Sequence, residues 1–179
     1  MTAQSDTDLS LVRAMAQGNR QALTDLYQRH GRSLLAYLIG QLGEQAAAEE
    51  VLQDVMLAAW QSAPNFRGDS KVRTWLLAIA RRKVINVWRK RKVTQVPLQE
   101  ELLGAGEPML NDRDAVREAL RELSEDQREV LELIFYHELS GVEAAEVMGV
   151  SVGTVKSRLH RAKARMRGLL LRKELGDDY

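Results

Sequence analysis

The side chains that could do chemistry in this sequence are few and far apart. The chain has no cysteine, which excludes disulfides, thiolate metal sites and cysteine nucleophiles. Its three histidines, His30, His137 and His160, are widely separated. No spacing suggests a Ser-His-Asp arrangement, a glycine loop for phosphate or a metal-ligand cluster. We therefore expect no catalytic residue, no metal and no cofactor, and a function based on binding.

The charged residues indicate what is bound, because they are segregated along the chain. Residues 63–92 contain ten basic residues and one acidic residue, and residues 150–179 contain eight basic and three acidic residues. Residues 93–149 between them contain four basic and fourteen acidic residues. Two basic blocks are typical of surfaces that bind a phosphate polymer, although solvated helix faces would give the same composition.

Helices must position these blocks, since Leu, Ala, Val, Glu and Arg prevail and only 5% of the residues are aromatic. Apolar periodicity predicts two helices within residues 9–39, broken near Gly18-Asn19, and six more over about 46–60, 74–92, 113–122, 125–138, 141–148 and 151–173. Ser124 with Gln127, and Ser140 with Glu143, have the spacing of capping boxes. We expect an all-α protein.

The predicted helices form two groups. Residues 93–111 have weak periodicity and hold two of the three prolines, which is typical of a linker. We therefore predict two small helical domains, residues 1–92 and 112–179, joined by a flexible linker over 93–111. The first residues lack the pattern of a signal peptide, and no apolar stretch is long enough to cross a membrane. We expect a cytoplasmic protein without membrane insertion.

The second basic block begins with the spacing of a helix-turn-helix. In "VEAAEVMGVSVGTVKSRL" the small Ala145 lets two helices cross closely, Gly149 supplies the turn, and Ser151 opens the second helix. We expect four residues to face inward on that helix and four to face outward, namely Val155, Leu159, Ala162 and Met166 against Lys156, Ser157, His160 and Arg161. Such a helix fits a DNA major groove, whereas a purely structural helical hairpin is the alternative.

The first basic block lies on the long helix at 74–92. Its apolar stripe is predicted to contain Leu77, Ala80, Val84, Val87 and Trp88, and its outward side Trp75, Ile79, Arg82, Asn86 and Arg89. An aromatic ring, an amide and several basic side chains on one side suit the binding of melted DNA. In such complexes nucleobases stack on aromatic rings and arginines hold the DNA backbone. Two interpretations of Trp75 remain open, a wedge that faces DNA and a core aromatic.

Both blocks resemble one protein family. Residues 120–166, above all the run Gly-Thr-Val-Lys-Ser-Arg-Leu-His-Arg-Ala, resemble region 4 of bacterial sigma factors of the sigma-70 family, the extracytoplasmic-function group in particular. "AEEVLQDVMLAAW" and "NFRGDSKVRTWLLAIARRKVINVWRKRK" resemble region 2 of the same group. The resemblance implies a subunit that gives RNA polymerase its promoter specificity and initiates transcription, with no catalysis of its own.

The resemblance also implies three sets of site residues. Those that bind the minus-35 element would be Thr154, Lys156, Ser157, His160 and Arg161. Those that capture and melt the minus-10 element would be Phe66, Arg67, Asp69, Ser70, Trp75, Arg82 and Asn86. Those that dock on the clamp helices of the polymerase beta-prime subunit would be Glu50, Gln53 and Asp54. The beta flap would be a second polymerase contact, and an anti-sigma factor is the expected regulator.

The sequence departs from the family pattern at two minus-10 positions. Arg82 stands where many members have Asn, and Asn86 where many have Asp, so the base preference there is open. Two other functions also remain open. One is a helix-turn-helix regulator that binds DNA without acting as a sigma subunit, and the other is a helical adaptor for RNA or protein. Neither needs both basic blocks.

Overall fold

The structure is a computed structural model that describes residues 3–94 and 112–176. Within these ranges every regular element is a helix, which confirms the all-α prediction. The chain divides into two compact units, of which one contains residues 3–94 and the other most of residues 112–176. The predicted linker falls mostly outside the described residues, because residues 93 and 94 belong to a helix and the rest are not described. The domain limits therefore stay predictions.

Four α-helices build the first unit. They are α1 (Ala3–Ala16), α2 (Arg20–Leu42), α3 (Gln45–Ser62) and α4 (Val72–Thr94), with a short 3-10 helix over Ala63–Asn65. The predicted break at Gly18-Asn19 is confirmed, since Gly18 has a φ of +86° and the Asn19 side chain accepts hydrogen bonds from the first turn of α2. Gly43, at φ +75°, ends α2 by donating to Ile39 O at 2.8 Å.

The core of the first unit lies between these four helices. The spacing of five apolar residues predicts one inward side of α3, and all five are buried, namely Val51, Leu52, Val55, Met56 and Ala59. The outward placement of Ile79 was wrong, because this side chain is 4% exposed. Helix α4 packs against α1, α2 and α3, so its buried arc is wider than the single stripe that its sequence suggests.

The remaining helices belong to the second unit, except for Glu146–Met148 at the end of α7. They are α5 (Asp112–Arg121), α6 (Glu125–Leu131), α7 (Gly141–Met148) and α8 (Val152–Gly176), and one π-helical turn over Glu132–Tyr136 follows α6. Both predicted capping boxes are confirmed by reciprocal hydrogen bonds, Ser124 with Gln127 and Ser140 with Glu143. Ala119 and Leu123 pack with Leu169 in one apolar cluster.

The predicted helix over 125–138 proved to be two different elements. After Leu131 the backbone widens into the π turn, in which His137 N donates to Glu132 O at 3.0 Å. Glu138 then adopts a left-handed φ of +51°. This change of path buries His137 and leaves Phe135 exposed. Periodicity alone predicted one continuous helix, because the segment after Leu131 is too short to show the change of apolar phase that an inserted residue causes.

Candidate nucleic-acid interface

A tight turn places the start of α8 at the surface. Gly149 has a φ of +64°, and Val150 N donates back to Ala145 O at 3.1 Å, which closes the end of α7. Ser151 then caps α8, since its Oγ accepts from Thr154 N at 3.1 Å. Ala145 is 5% exposed. The predicted roles of Gly149 in the turn and of Ser151 at the helix start are thus confirmed, whereas the close helix crossing predicted at Ala145 stays a prediction.

One side of α8 holds it in the second unit. Val155 and Ala162 are buried, and Leu159 and Met166 are half-buried, as their spacing predicted. The helix packs on α5 and α6 along this side. Arg158 forms an ion pair with Asp126 of α6, with 2.7 Å between Nη2 and Oδ2. Helix α8 is therefore fixed by apolar contacts and by one arginine that faces the protein.

The opposite side of α8 carries the residues predicted to meet DNA. Lys156, Ser157, His160 and Arg161 are all exposed. Thr154 is half-buried, with its Oγ1 2.9 Å from Ser151 Oγ, so it belongs to the cap as well as to the outward side. The structure thus brings the five minus-35 candidates together within the first three turns of α8.

Two basic residues in the later turns of α8 contact other residues of the second unit. Lys163 Nζ is 5.1 Å from the centre of the Phe135 ring, which is a cation–π contact. Arg165 Nη2 is 3.9 Å from Glu122 Oε2. Sequence reasoning missed both contacts, because they join residues about 30 to 40 positions apart that only the packing of α8 on the preceding helices brings together.

In the first unit a short loop connects the 3-10 helix to α4. Phe66 N donates to Ala63 O at 3.2 Å, and the Phe66 and Trp75 rings stack with their centroids 4.6 Å apart at 31°. Arg67 and Asp69 are exposed, whereas Ser70 is half-buried. We refer to residues 66–70 as the loop. Trp75 is half-buried, and its ring packs on that of Phe66, so neither a fully buried core residue nor an isolated exposed ring describes it.

The predicted outward side of α4 is present apart from Ile79. Arg82, Asn86 and Arg89 are exposed. Trp75, Arg82 and Asn86 share one side of the helix, because their spacing returns to the same direction every seven or eleven residues. The structure therefore aligns the aromatic pair, an amide and basic groups along one helix.

The polar side of α3 is separate from the loop. Glu50, Gln53 and Asp54 are exposed, as their sequence positions predicted. Asp54 Oδ2 lies 3.6 Å from Lys83 Nζ of α4. Beside Gln53 is a groove of about 640 Å³ between α2 and α3, in which Leu57 and Tyr27 are roughly half exposed. Sequence reasoning missed this apolar groove. The available signal was Leu57, an apolar residue that lies off the predicted buried side of α3.

A buried ionic cluster was also missed. Asp8 is 6% exposed and lies on the side of α1 that buries Val12 and Met15. It pairs with two residues of α2, with 2.9 Å from Oδ1 to Arg29 Nε and 2.8 Å from Oδ2 to His30 Nε2. The available signal was an acidic residue at helical spacing from two apolar ones.

The structure also bears on other kinds of site. Within the described ranges, no three His, Cys, Asp or Glu side chains are grouped so that they could hold a metal ion. No helix of the described part of the chain is long and apolar enough to cross a membrane.

Comparison with known proteins decides the family. The sigma-70 region 2 model matches residues 26–94, and the sigma-70 region 4 model matches residues 113–166. The extracytoplasmic-function RNA polymerase sigma factor SigL of Mycobacterium tuberculosis is 32% identical over 177 residues, covering 94% of this chain and 98% of SigL. This chain belongs to the extracytoplasmic-function group of the sigma-70 family.

Two further members of the family are similar to this sigma factor over most of its length. The RNA polymerase sigma factor CnrH of Cupriavidus metallidurans is 34% identical over 182 residues, covering 92% of this chain and 95% of CnrH. The structure of CnrH with the cytosolic domain of CnrY matches with a TM-score of 0.71 and 28% identity, over 97% of this chain and 99% of that one. The structure of RpoE of Bartonella quintana with the anti-sigma factor NepR matches with a TM-score of 0.67 and 30% identity. The match covers 82% of this chain and 96% of the RpoE chain.

The family matches cover the two surfaces described above. The region 2 match includes α3, the loop and α4, and the region 4 match includes the turn and the exposed start of α8. Helix α1 precedes the first match. The protein is a sigma factor, and the alternative of a helix-turn-helix regulator is not favoured, because both regions occur in one chain in the order of a sigma factor.

Proposed function

We propose that this sigma factor holds promoter DNA at two places, with α8 on the minus-35 element and with the loop and α4 on the minus-10 element. The observation that carries the proposal is the exposed row on α8, in which Lys156, Ser157, His160 and Arg161 project away from a buried side. The N-terminal end of a recognition helix supplies the residues that meet base edges in a major groove.

The chemistry of these side chains fits a minus-35 site. Arg161 and Lys156 can donate to guanine O6 and N7 or to phosphates, and Ser157 can both donate and accept. Thr154 lies beside them, where it orders the first turn of the helix. A good bidentate contact contributes about 1–3 kcal/mol of discrimination against a wrong base, which is enough for one residue to set a preference.

The first unit fits a melted minus-10 element. A base that leaves the duplex would find the Phe66 and Trp75 rings to stack against, which contributes roughly 1–3 kcal/mol per base. Arg67, Asp69 and Ser70 follow Phe66 in the same loop and supply polar groups. Arg82 and Asn86 continue along the same side of α4, where they can hold the backbone and the neighbouring bases.

We further propose the protein partners. Glu50, Gln53 and Asp54 form an exposed polar side of α3 that would dock on the clamp helices of the beta-prime subunit, and the beta flap would contact the second unit. CnrH was solved with the cytosolic domain of CnrY, and RpoE with the anti-sigma factor NepR, so we propose that an anti-sigma factor binds this chain as well. The protein would work in the cytoplasm as a removable subunit, and RNA polymerase would supply all catalysis.

Run-off transcription on genomic DNA fragments tests the function directly. Core polymerase together with this protein should initiate at new sites that are preceded by two shared sequence elements. Core polymerase alone serves as the control. Stable and specific DNA binding without any initiation would contradict the proposal and would favour a transcriptional regulator.

A further inference from the structure

Helix α1 lies against the 3-10 helix and the loop that follows it. Gly68 in the loop has a φ of +82° and carries no side chain that could cover its Cα. A Cβ placed on Gly68 would lie 3.5 Å from Leu9 Cδ1 and 3.9 Å from Leu9 Cδ2. The Leu9 side chain therefore lies beside the middle of the loop and occupies the space that a side chain on Gly68 would face.

The residue next to Leu9 fixes the position of α1 along α2. Asp8 is almost fully buried, and its two oxygens reach Arg29 and His30. A buried carboxylate without partners is costly, and these two contacts of Asp8 form only when α1 lies in one register on α2. We call Asp8, Arg29 and His30 the Asp8 clamp.

We propose that α1 positions the loop for base capture, with the Asp8 clamp fixing the register of the helix and Leu9 supporting the loop at Gly68. The inference rests on the proposed role of the loop at the minus-10 element. Asp8 and Leu9 act through the loop and are positioning residues. They precede residues 26–94, the segment matched by the region 2 model, so that match assigns them no role.

The two ends of the loop lie next to buried residues and an aromatic contact. At one end Ala63 is buried and Phe66 stacks on Trp75, and at the other end Val72 begins α4 as a buried residue. Without the support of Leu9, the residues around Gly68 sample more conformations. The affinity for a captured base falls in proportion to the fraction of loops in the competent conformation. The loss should therefore appear in promoter opening and not in polymerase binding.

Fluorine NMR of the full chain tests the positioning without any promoter. The sequence has only two phenylalanines, Phe66 in the loop and Phe135 in the second unit, so 4-fluorophenylalanine gives two signals, which Phe66→Tyr assigns. Leu9→Ala and Asp8→Asn should shift or broaden the Phe66 signal and leave the Phe135 signal unchanged. An unchanged Phe66 signal in both variants would overturn the proposal.

Matched controls are available on the same helix. Leu11 is also half-buried but lies about 160° around α1 from Leu9, so Leu11→Ala removes the same atoms from the other flank. Asp6→Asn removes the same charge from an exposed position. Both controls should leave the Phe66 signal as in the parent protein. A change as large as that of Leu9→Ala would indicate a general loss of packing and would contradict the proposal.

Promoter opening supplies the functional test, with core polymerase and a promoter found by run-off transcription. Permanganate reactivity of minus-10 thymines measures opening, and complex formation is measured in parallel. Leu9→Ala should lower opening at least about threefold at equal polymerase binding, and Leu9→Met should restore it. If Phe66→Ala leaves opening intact, the proposed loop function is wrong. If Phe66→Ala impairs opening but Leu9→Ala matches Leu11→Ala, only the positioning role is wrong.

Discussion

The outward residues of α8 differ in how firmly their side chains are held. Arg161 Nε donates to Ser157 O at 3.3 Å, and Ser157 Oγ donates to Thr154 O at 2.9 Å. Arg161 is therefore braced along its own helix while its two Nη groups extend beyond that bond. A guanidinium oriented in this way loses less conformational entropy on binding, which favours Arg161 as the residue that sets base preference.

We predict that Arg161→Ala weakens binding to the minus-35 element by about 1–3 kcal/mol and relaxes selectivity at one base pair. Binding of the holoenzyme to promoter variants, measured at several salt concentrations, checks this. Arg167→Ala removes a later, exposed base of α8 and serves as the control. If Arg167 contacts a phosphate, this substitution should weaken binding to all promoter variants alike. It should also lower the slope of log affinity against log salt concentration by about 0.9. An unchanged footprint and unchanged selectivity of Arg161→Ala would exclude it as a base contact.

At the scale of elements, the turn between α7 and α8 depends on backbone conformation more than on side-chain packing. Gly149 has nothing within 4 Å of the position of an added Cβ, yet its φ is +64°. An alanine there would meet no neighbour and would still be strained. Gly168, in the middle of α8, has equally open surroundings but helical backbone, where glycine is a poor helix former.

This pair gives a matched prediction for stability. Gly149→Ala should destabilise the second unit by about 1–2 kcal/mol, and Gly168→Ala should stabilise it by roughly 0.5–1 kcal/mol. Urea unfolding followed by circular dichroism measures both. Tryptophan fluorescence separates the units, because Trp60, Trp75 and Trp88 all lie in the first one. Equal effects of the two substitutions would show that the left-handed turn does not limit the stability of the second unit.

At the scale of the whole molecule, acidic residues accompany the basic recognition helix. Residues 93–149 have an excess of ten acidic residues over basic ones. In the second unit, Asp126 pairs with Arg158, and Glu122 lies near Arg165. Half-exposed pairs of this kind add little stability, but their negative charge lowers the attraction of α8 for DNA. We infer that the free protein binds promoters weakly and that tight binding requires the polymerase.

Footprinting of the free protein tests this inference. Protection should be weak at moderate salt without polymerase, and Glu122→Gln should strengthen DNA binding about twofold at low salt, because one like charge is removed near the phosphates. Glu49→Gln makes the same charge change in the first unit and should have a smaller effect on binding to a minus-35 duplex. Strong and specific protection by the unmodified free protein would contradict the inference.

The amino-acid sequence by itself determined most of the local structure. Apolar spacing located the buried sides of α3 and α8, Ser124 and Ser140 marked helix starts, and Gly149 marked the turn, because each of these features depends on residues within one or two helical turns. The outward positions of Lys156, Ser157, His160 and Arg161 followed from the same spacing, whereas their link to the minus-35 element came from the family resemblance. Local patterns also placed the loop before α4, since Pro64 and Gly68 interrupt helical backbone.

Only the tertiary structure decided which distant residues meet. It buried Ile79 because α4 packs on three helices, stacked Phe66 on Trp75, and joined Arg158 to Asp126. It also showed that Asp8 is a buried partner of α2, whereas its sequence context allowed an ordinary surface acid. These outcomes depend on contacts between separate elements, and helical periodicity gives the direction of a side chain without identifying what lies in that direction.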